Sequence, residues 1–191
     1  MSQTVDFERF DIDGLVLIAP GRISDRRGFF SETFRADLLA ANGIDATFVQ
    51  DNHVRSAARG VLRGLHFQVS PHAHGKLVRV GRGSILDVCV DLRHGSPTFG
   101  RHVAVELSAA NWHQIWVPVG FAHGYVTLET DTEVLYKTTD YYAPQQERGL
   151  AWDDPALAID WRLPPGEVTL SDKDRKQPRL AELGVVFPGL V

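Results

Sequence analysis

His66 and Lys76 stand in two short runs, Arg63-Gly64-Leu65-His66-Phe67-Gln68 and Gly75-Lys76-Leu77-Val78-Arg79-Val80, in which apolar and polar residues alternate. Alternation puts every second side chain on one face of a strand. The runs therefore predict neighbouring strands that hold an imidazole and an ammonium together. An unperturbed imidazole has a pKa of about 6.5 and accepts a proton near neutral pH with little tuning. A fixed cation beside it stabilises the oxyanion that forms when a carbon next to a carbonyl loses its proton. The pair suits proton abstraction α to a carbonyl.

Two more residues fit that chemistry, each with a plain alternative. Tyr136, in Glu133-Val134-Leu135-Tyr136-Lys137, is a core filler by default, yet a phenol with a pKa of about 10 also delivers a proton to an enolate. Asp174, in Ser171-Asp172-Lys173-Asp174, can orient a catalytic histidine through its second ring nitrogen. The same four residues fit a helix capping box. Lys76 has an alternative as a strand-edge cation facing water. Residue types leave these choices open.

The elements that must position such groups read as β structure. Short β-branched runs recur at Leu15 to Ile18, Lys76 to Val80, Ile85 to Leu92, His102 to Leu107 and Thr132 to Thr138. Between them lie turn sequences such as Gly81-Arg82-Gly83, His94-Gly95-Ser96-Pro97 and Pro118-Val119-Gly120, which predicts an antiparallel sandwich or barrel. Helical periodicity is confined to Ala36 to Ala41, stopped by Asn42-Gly43, with a second short helix expected after Ser171. Pro164-Pro165-Gly166 separates the barrel from a C-terminal segment expected to pack back on it.

The chain has 191 residues, 43% of them hydrophobic, enough for one packed domain spanning 1–191. With 20 basic and 24 acidic residues its net charge is -4, without the basic excess of a nucleic-acid binder. The single cysteine, Cys89, lies in an apolar run and reads as a small buried hydrophobe. The N-terminal residues carry no leader pattern, and no apolar stretch approaches a membrane span. The expectation is a soluble cytoplasmic protein.

Across nearly its whole length the chain resembles the nucleotide-diphospho-4-keto-6-deoxysugar epimerases of the dTDP-4-dehydrorhamnose 3,5-epimerase family. The matching segments include Asp25-Arg26-Arg27-Gly28-Phe29-Phe30, Val49-Gln50-Asp51-Asn52-His53, Leu62 to Gln68, Gly75 to Arg79, Pro118 to Gly124, Leu135-Tyr136-Lys137, Asp140-Tyr141-Tyr142 and Ser171 to Asp174. The resemblance implies an all-β, cupin-type jelly-roll barrel with a few short peripheral helices, homodimeric and free of metal or other cofactor. It implies a dTDP-linked 4-keto-6-deoxy sugar as substrate, inverted at C3 and C5. In family terms His66 is the base, Asp174 its partner, Lys76 the enolate's counter-charge and Tyr136 the opposite-face acid. Arg27, Arg63 and Lys173 match diphosphate ligands; Glu32, Gln50, Asn52, His123 and Glu147 match polar contacts; Tyr142 matches a stacking surface for thymine. The segment around Arg27 is expected to reach a neighbouring subunit's site.

Three rivals stand beside this. A branch of the family inverts C3 alone with nearly the same residues. A metal-dependent cupin oxygenase would use His72, His74 and His123, but the glutamate expected four or five residues after the second histidine is replaced by Val78 and Arg79, and residues 71–74 read as an exposed loop. A non-catalytic sugar-nucleotide binder on the same barrel is the third.

Overall fold

The computed structural model describes residues 4–190. In chain order its strands are β1 (Val5–Arg9), β2 (Val16–Pro20), β3 (Ile23–Asp25), β4 (Gly28–Phe30), β5 (Gln50–Ser56), β6 (Leu62–Gln68), β7 (Lys76–Arg82), β8 (Ser84–Asp91), β9 (Arg93–His94), β10 (His102–Ser108), β11 (Gln114–Val117), β12 (Phe121–Thr127), β13 (Thr132–Thr138), β14 (Glu147–Gly149) and β15 (Phe187–Pro188). Six of them form one sheet in the order β1-β2-β11-β7-β13-β5, and five form another in the order β10-β8-β12-β6-β14. All pairings within these two sheets are antiparallel. The all-β, cupin-type expectation holds. Among the described residues no helix is long and apolar enough to cross a membrane.

Every residue of β8 and β12 is buried, and the two faces of these central strands bury against different partners. Ile85, Cys89, Phe121 and Tyr125 point into the barrel, packing with Val78, Ile115 and Val134 of the opposite sheet. Leu86, Val88, Val90, Ala122 and Val126 point outward under Leu150, Leu157, Trp161 and Phe187. The segment after Pro164 thus packs back on the barrel, tied by β15 beside β9 and by a bridge from Val61 to Thr169. Each fully buried Leu or Ile in these layers stabilises by about 1.5–3 kcal/mol relative to exposure.

The helix α1 spans Ala36–Ala41 and stops at Asn42 as expected, with Gly43 at φ +83, a left-handed conformation that costs glycine least. Three expectations need correction. His66 and Lys76 do not lie on neighbouring strands: β6 and β7 follow one another in sequence but belong to opposite sheets, so the two residues face each other across the barrel. After Ser171 the chain makes only a 3-10 turn over Asp174–Lys176, ended by the extended Gln177, since the residue before a proline, here Pro178, is disfavoured in helix. The apolar N-terminal run Leu15 to Ile18, expected as a sheet edge that a second copy would cover, is not an edge either. β2 lies between β1 and β11, and two exposed aromatic rings sit instead on the β3–β4 hairpin, where Phe29 and Phe30 are 52% and 63% exposed.

Candidate active site

Period-two geometry turns matched residues of six strands toward one cavity. In the six-stranded sheet, Tyr136 pairs with Asn52 and Val78, and Thr138 with Gln50 and Lys76. In the five-stranded sheet, His66 pairs with His123, and Gln68 with Glu147. Most of these side chains, though not Val78 or His123, line an outer lobe of about 390 Å³ bounded by Gln50, Asn52, His66, Gln68, His74, Lys76, Tyr136, Tyr142 and Glu147. His66, Lys76 and Tyr136 also wall an inner lobe, shared with Arg63, His123, Tyr125, Lys173 and Asp174. The register between β6 and β12 slips next to Gly64 and Gly124. A Cβ on Gly64 would come within 2.5 Å of the Gly124 Cα, so only glycine lets these backbones approach there.

His66 is held by Asp174 across 108 residues of chain, with Nε2 2.5 Å from Oδ1. That contact leaves Nδ1 as the ring nitrogen available for a substrate proton. The Asp174 side chain is only 5% exposed. Burial pushes its carboxyl up, but the hydrogen bonds from His66, Ser171 and the Gly64 amide outweigh burial and hold it below its usual value. Half of the alternative capping box does form, since the Asp174 amide donates to Ser171 Oγ at 3.1 Å. The carboxylate that would complete the box is spent on the imidazole.

The Lys76 ammonium donates to the His66 carbonyl at 3.2 Å. Desolvation inside the barrel lowers its pKa to about 8, against the opposing pull of Cys89, Asp87 and Glu147. Tyr136 is also desolvated, and burial raises its pKa above the usual value despite the nearby Arg63, so the phenol is fully protonated at neutral pH. An acceptor, a cation and a proton donor therefore surround one space, on strands of a rigid barrel.

The residues expected to bind substrate fall into two groups. Around the outer lobe, Gln50 donates to Asn52 Oδ1 at 2.9 Å and accepts from the Tyr142 amide at 3.0 Å. Glu147 Oε2 takes the Tyr142 hydroxyl at 2.8 Å and Lys173 Nζ at 2.5 Å, and these two partners hold its carboxyl below its usual value although burial pushes it up. Arg63 reaches Ser56 Oγ at 3.4 Å. Arg27 and Glu32 stand apart from this cavity. Arg27 is at the tip of the β3–β4 hairpin, ion-paired with Asp25 at 2.6 Å, and Glu32 lies beside Arg35 at 3.9 Å in a groove lined by β1 and α1.

His123 is fully inside, 2.8 Å from Asp87 Oδ2, and desolvation keeps its imidazole below the ordinary pKa although Asp87 opposes this. Cys89 donates to the other Asp87 oxygen at 3.6 Å, its thiol pushed far up by burial. Among the described residues, this trio is the group whose ligand atoms lie close enough for an ion, within 4.8 Å of one another. Its atoms are already bonded to one another, and the Lys76 charge bears on all three. The three histidines of the oxygenase alternative do not converge. His72 pairs with Asp140 at 3.2 Å and His74 with Gln68 at 3.0 Å. The loop carrying them is less exposed than its sequence suggests: His74 is partly buried at the cavity wall, and burial with Lys76 nearby lowers its pKa to about 4.

Sequence reasoning missed Gln68, Asp87 and Tyr125. Gln68 ties the loops together through the His72 and Tyr141 carbonyls and the Ala143 amide. Its place in the alternation, two residues after His66, was the available signal.

A family model described as dTDP-4-dehydrorhamnose 3,5-epimerase matches residues 9–182. A protein of that description from Sinorhizobium fredii is 50% identical over 181 residues, covering 95% of this chain and 92% of the relative. The crystal structure of dTDP-6-deoxy-D-glucose-3,5-epimerase from Legionella pneumophila, in complex with dTDP-4-keto-L-rhamnose, superposes with a TM-score of 0.92 at 45% identity, covering 97% of this chain and 98% of that one. A 3'-monoepimerase from Streptomyces bikiniensis in complex with dTDP-quinovose is similar at 35% identity with a TM-score of 0.85, covering 94% and 91%.

Proposed function

The chain belongs to the dTDP-4-dehydrorhamnose 3,5-epimerase family, and from that premise we propose that it converts dTDP-4-dehydro-6-deoxy-D-glucose into dTDP-4-dehydro-L-rhamnose. The observation that carries this reading is the convergence of His66, Lys76 and Tyr136 on one space, with Asp174 behind the imidazole.

His66 Nδ1 takes the proton from C3 of the 4-keto sugar. The C–H electron pair forms the C3–C4 double bond and drives charge onto the C4 oxygen, where the Lys76 ammonium meets it. Asp174 stabilises the imidazolium so produced. Tyr136 gives its phenolic proton to the opposite face of C3, which inverts the centre, and its phenolate recovers a proton from water. The imidazolium returns its proton to water, and the same groups repeat the exchange at C5. Each step is a proton transfer, so neither a redox cofactor nor a metal is needed.

Lys173 and Arg63 supply charge for the diphosphate, and Tyr142 at the rim offers a ring to thymine. Arg27, remote from the cavity of its own chain, serves the partner's site in a homodimer joined through the exposed β3–β4 hairpin. A nucleotide-activated sugar substrate fits a cytoplasmic enzyme. The test is to follow deuterium entry from D₂O by NMR, with the dTDP-linked 4-keto-6-deoxyglucose as substrate. Entry at both C3 and C5 with a new epimer supports the reading. Entry at C3 alone makes the chain a monoepimerase, and no entry removes it from this chemistry.

A further inference from the structure

Among the described residues two buried side-chain groups find no hydrogen-bond partner within the chain, Asn52 Nδ2 and the Tyr125 hydroxyl. Both belong to residues of the same cavity, Asn52 in the outer lobe and Tyr125 in the inner. Buried polar groups are normally paired, and each exception asks for a reason. Asn52 already has a place in substrate binding; Tyr125 has none.

Tyr125 is 5% exposed and projects from the inward face of β12, its neighbours across the strands being Asp87 on β8 and Arg63 on β6. As a core filler the ring would do as well without its oxygen, since phenylalanine avoids the desolvation of an unpaired hydroxyl. As an acid it is poorly suited, because burial pushes its pKa well above the usual tyrosine value despite the nearby Arg63. What remains is a neutral donor, fixed in a wall of the lobe that holds His66, Lys76 and Tyr136.

We propose that the Tyr125 hydroxyl is a further substrate-holding group, donating a hydrogen bond to an oxygen of the 4-keto sugar in the inner lobe. The proposal rests on the epimerase reading above. It makes Tyr125 a determinant of sugar recognition and not of base recognition, because Tyr142, offered to the base, stands at the outer lobe and is 55% exposed.

The experiment compares Tyr125→Phe with the parent enzyme in three measurements: the melting temperature without ligand, the Kd for dTDP, and kcat/KM for the dTDP-linked 4-keto-6-deoxyglucose. The variant is expected to melt at the same temperature or higher and to bind dTDP like the parent. Its kcat/KM is expected to fall about three- to tenfold, the range for loss of one neutral hydrogen bond. Unchanged or improved kcat/KM overturns the proposal. So does a lowered melting temperature, which gives the hydroxyl to the fold, or an equal loss for dTDP, which gives it to the nucleotide. Failure of the epimerase reading shows separately, as a parent enzyme that neither epimerises nor exchanges.

Discussion

Replacing Asp174 with Asn isolates what the buried carboxylate contributes, because the amide keeps the shape and an acceptor oxygen while removing the charge. In the parent, Asp174 accepts from His66 Nε2 at 2.5 Å with its side chain 5% exposed, so the interaction is little screened by water. A hydrogen bond to a charged group is worth about 1.5–3 kcal/mol, and at about 1.36 kcal/mol per tenfold its loss at the imidazolium stage slows turnover by about 10- to 150-fold. KM changes little, since Asp174 meets the substrate only through His66. The pH dependence of folding supplies a second readout. A carboxyl held below its unfolded value adds stability that is present above that value, about 3.8, and lost as pH falls through the folded one. The parent therefore loses an acid-sensitive increment that Asp174→Asn lacks, and their melting temperatures converge in acid. The decisive assay is a double-mutant cycle on kcat with His66→Asn, which alone is expected to cost about 10²–10⁴-fold. If Asp174 works through His66, Asp174→Asn adds nothing in the His66→Asn background. Fully additive losses would refute the dyad.

Lys76 gives an alkaline limb: kcat falls as pH rises through about 8, where the ammonium loses the charge that meets the enolate, and a flat profile to pH 9.5 would contradict that role. Because the fold disfavours the charged lysine, Lys76→Met is expected to raise the melting temperature at pH 7, with the gain shrinking toward pH 10 as the parent lysine becomes neutral. In Tyr136→Phe, deuterium exchange at C3 of recovered substrate outlasts formation of the epimer, since His66 can still enolise the sugar; undiminished inversion assigns the acid to another group. Exhaustive chelation leaves activity intact, and activity lost and then restored by one divalent ion would point to Asp87, Cys89 and His123. Light scattering at micromolar concentration gives a dimer, while Phe29→Ser with Phe30→Ser shifts it toward monomer.

What the sequence determined by itself is what local pattern controls. Alternation put His66 and Lys76 each on one face of a strand, so this base and this cation were legible as candidates before any contact was known, whereas Tyr136 stayed open between core filler and acid, and Asn52 entered only through the resemblance. The helix end at Asn42-Gly43 was equally local. Pattern failed where both faces of a strand are buried: every position of β8 and β12 is buried, so Asp87, His123 and Tyr125 gave no periodic sign of pointing inward. Only tertiary structure decided the partners. A hydrogen bond between residues 108 positions apart chose His66 over a capping box for Asp174, because a carboxylate buried beside an imidazole gains a charge-assisted bond that an exposed cap does not. Sheet order put Lys76 opposite His66 rather than beside it. Burial, which depends on everything packed around a site, lowered Lys76 to about 8 and left the Tyr125 hydroxyl without a partner in its own chain.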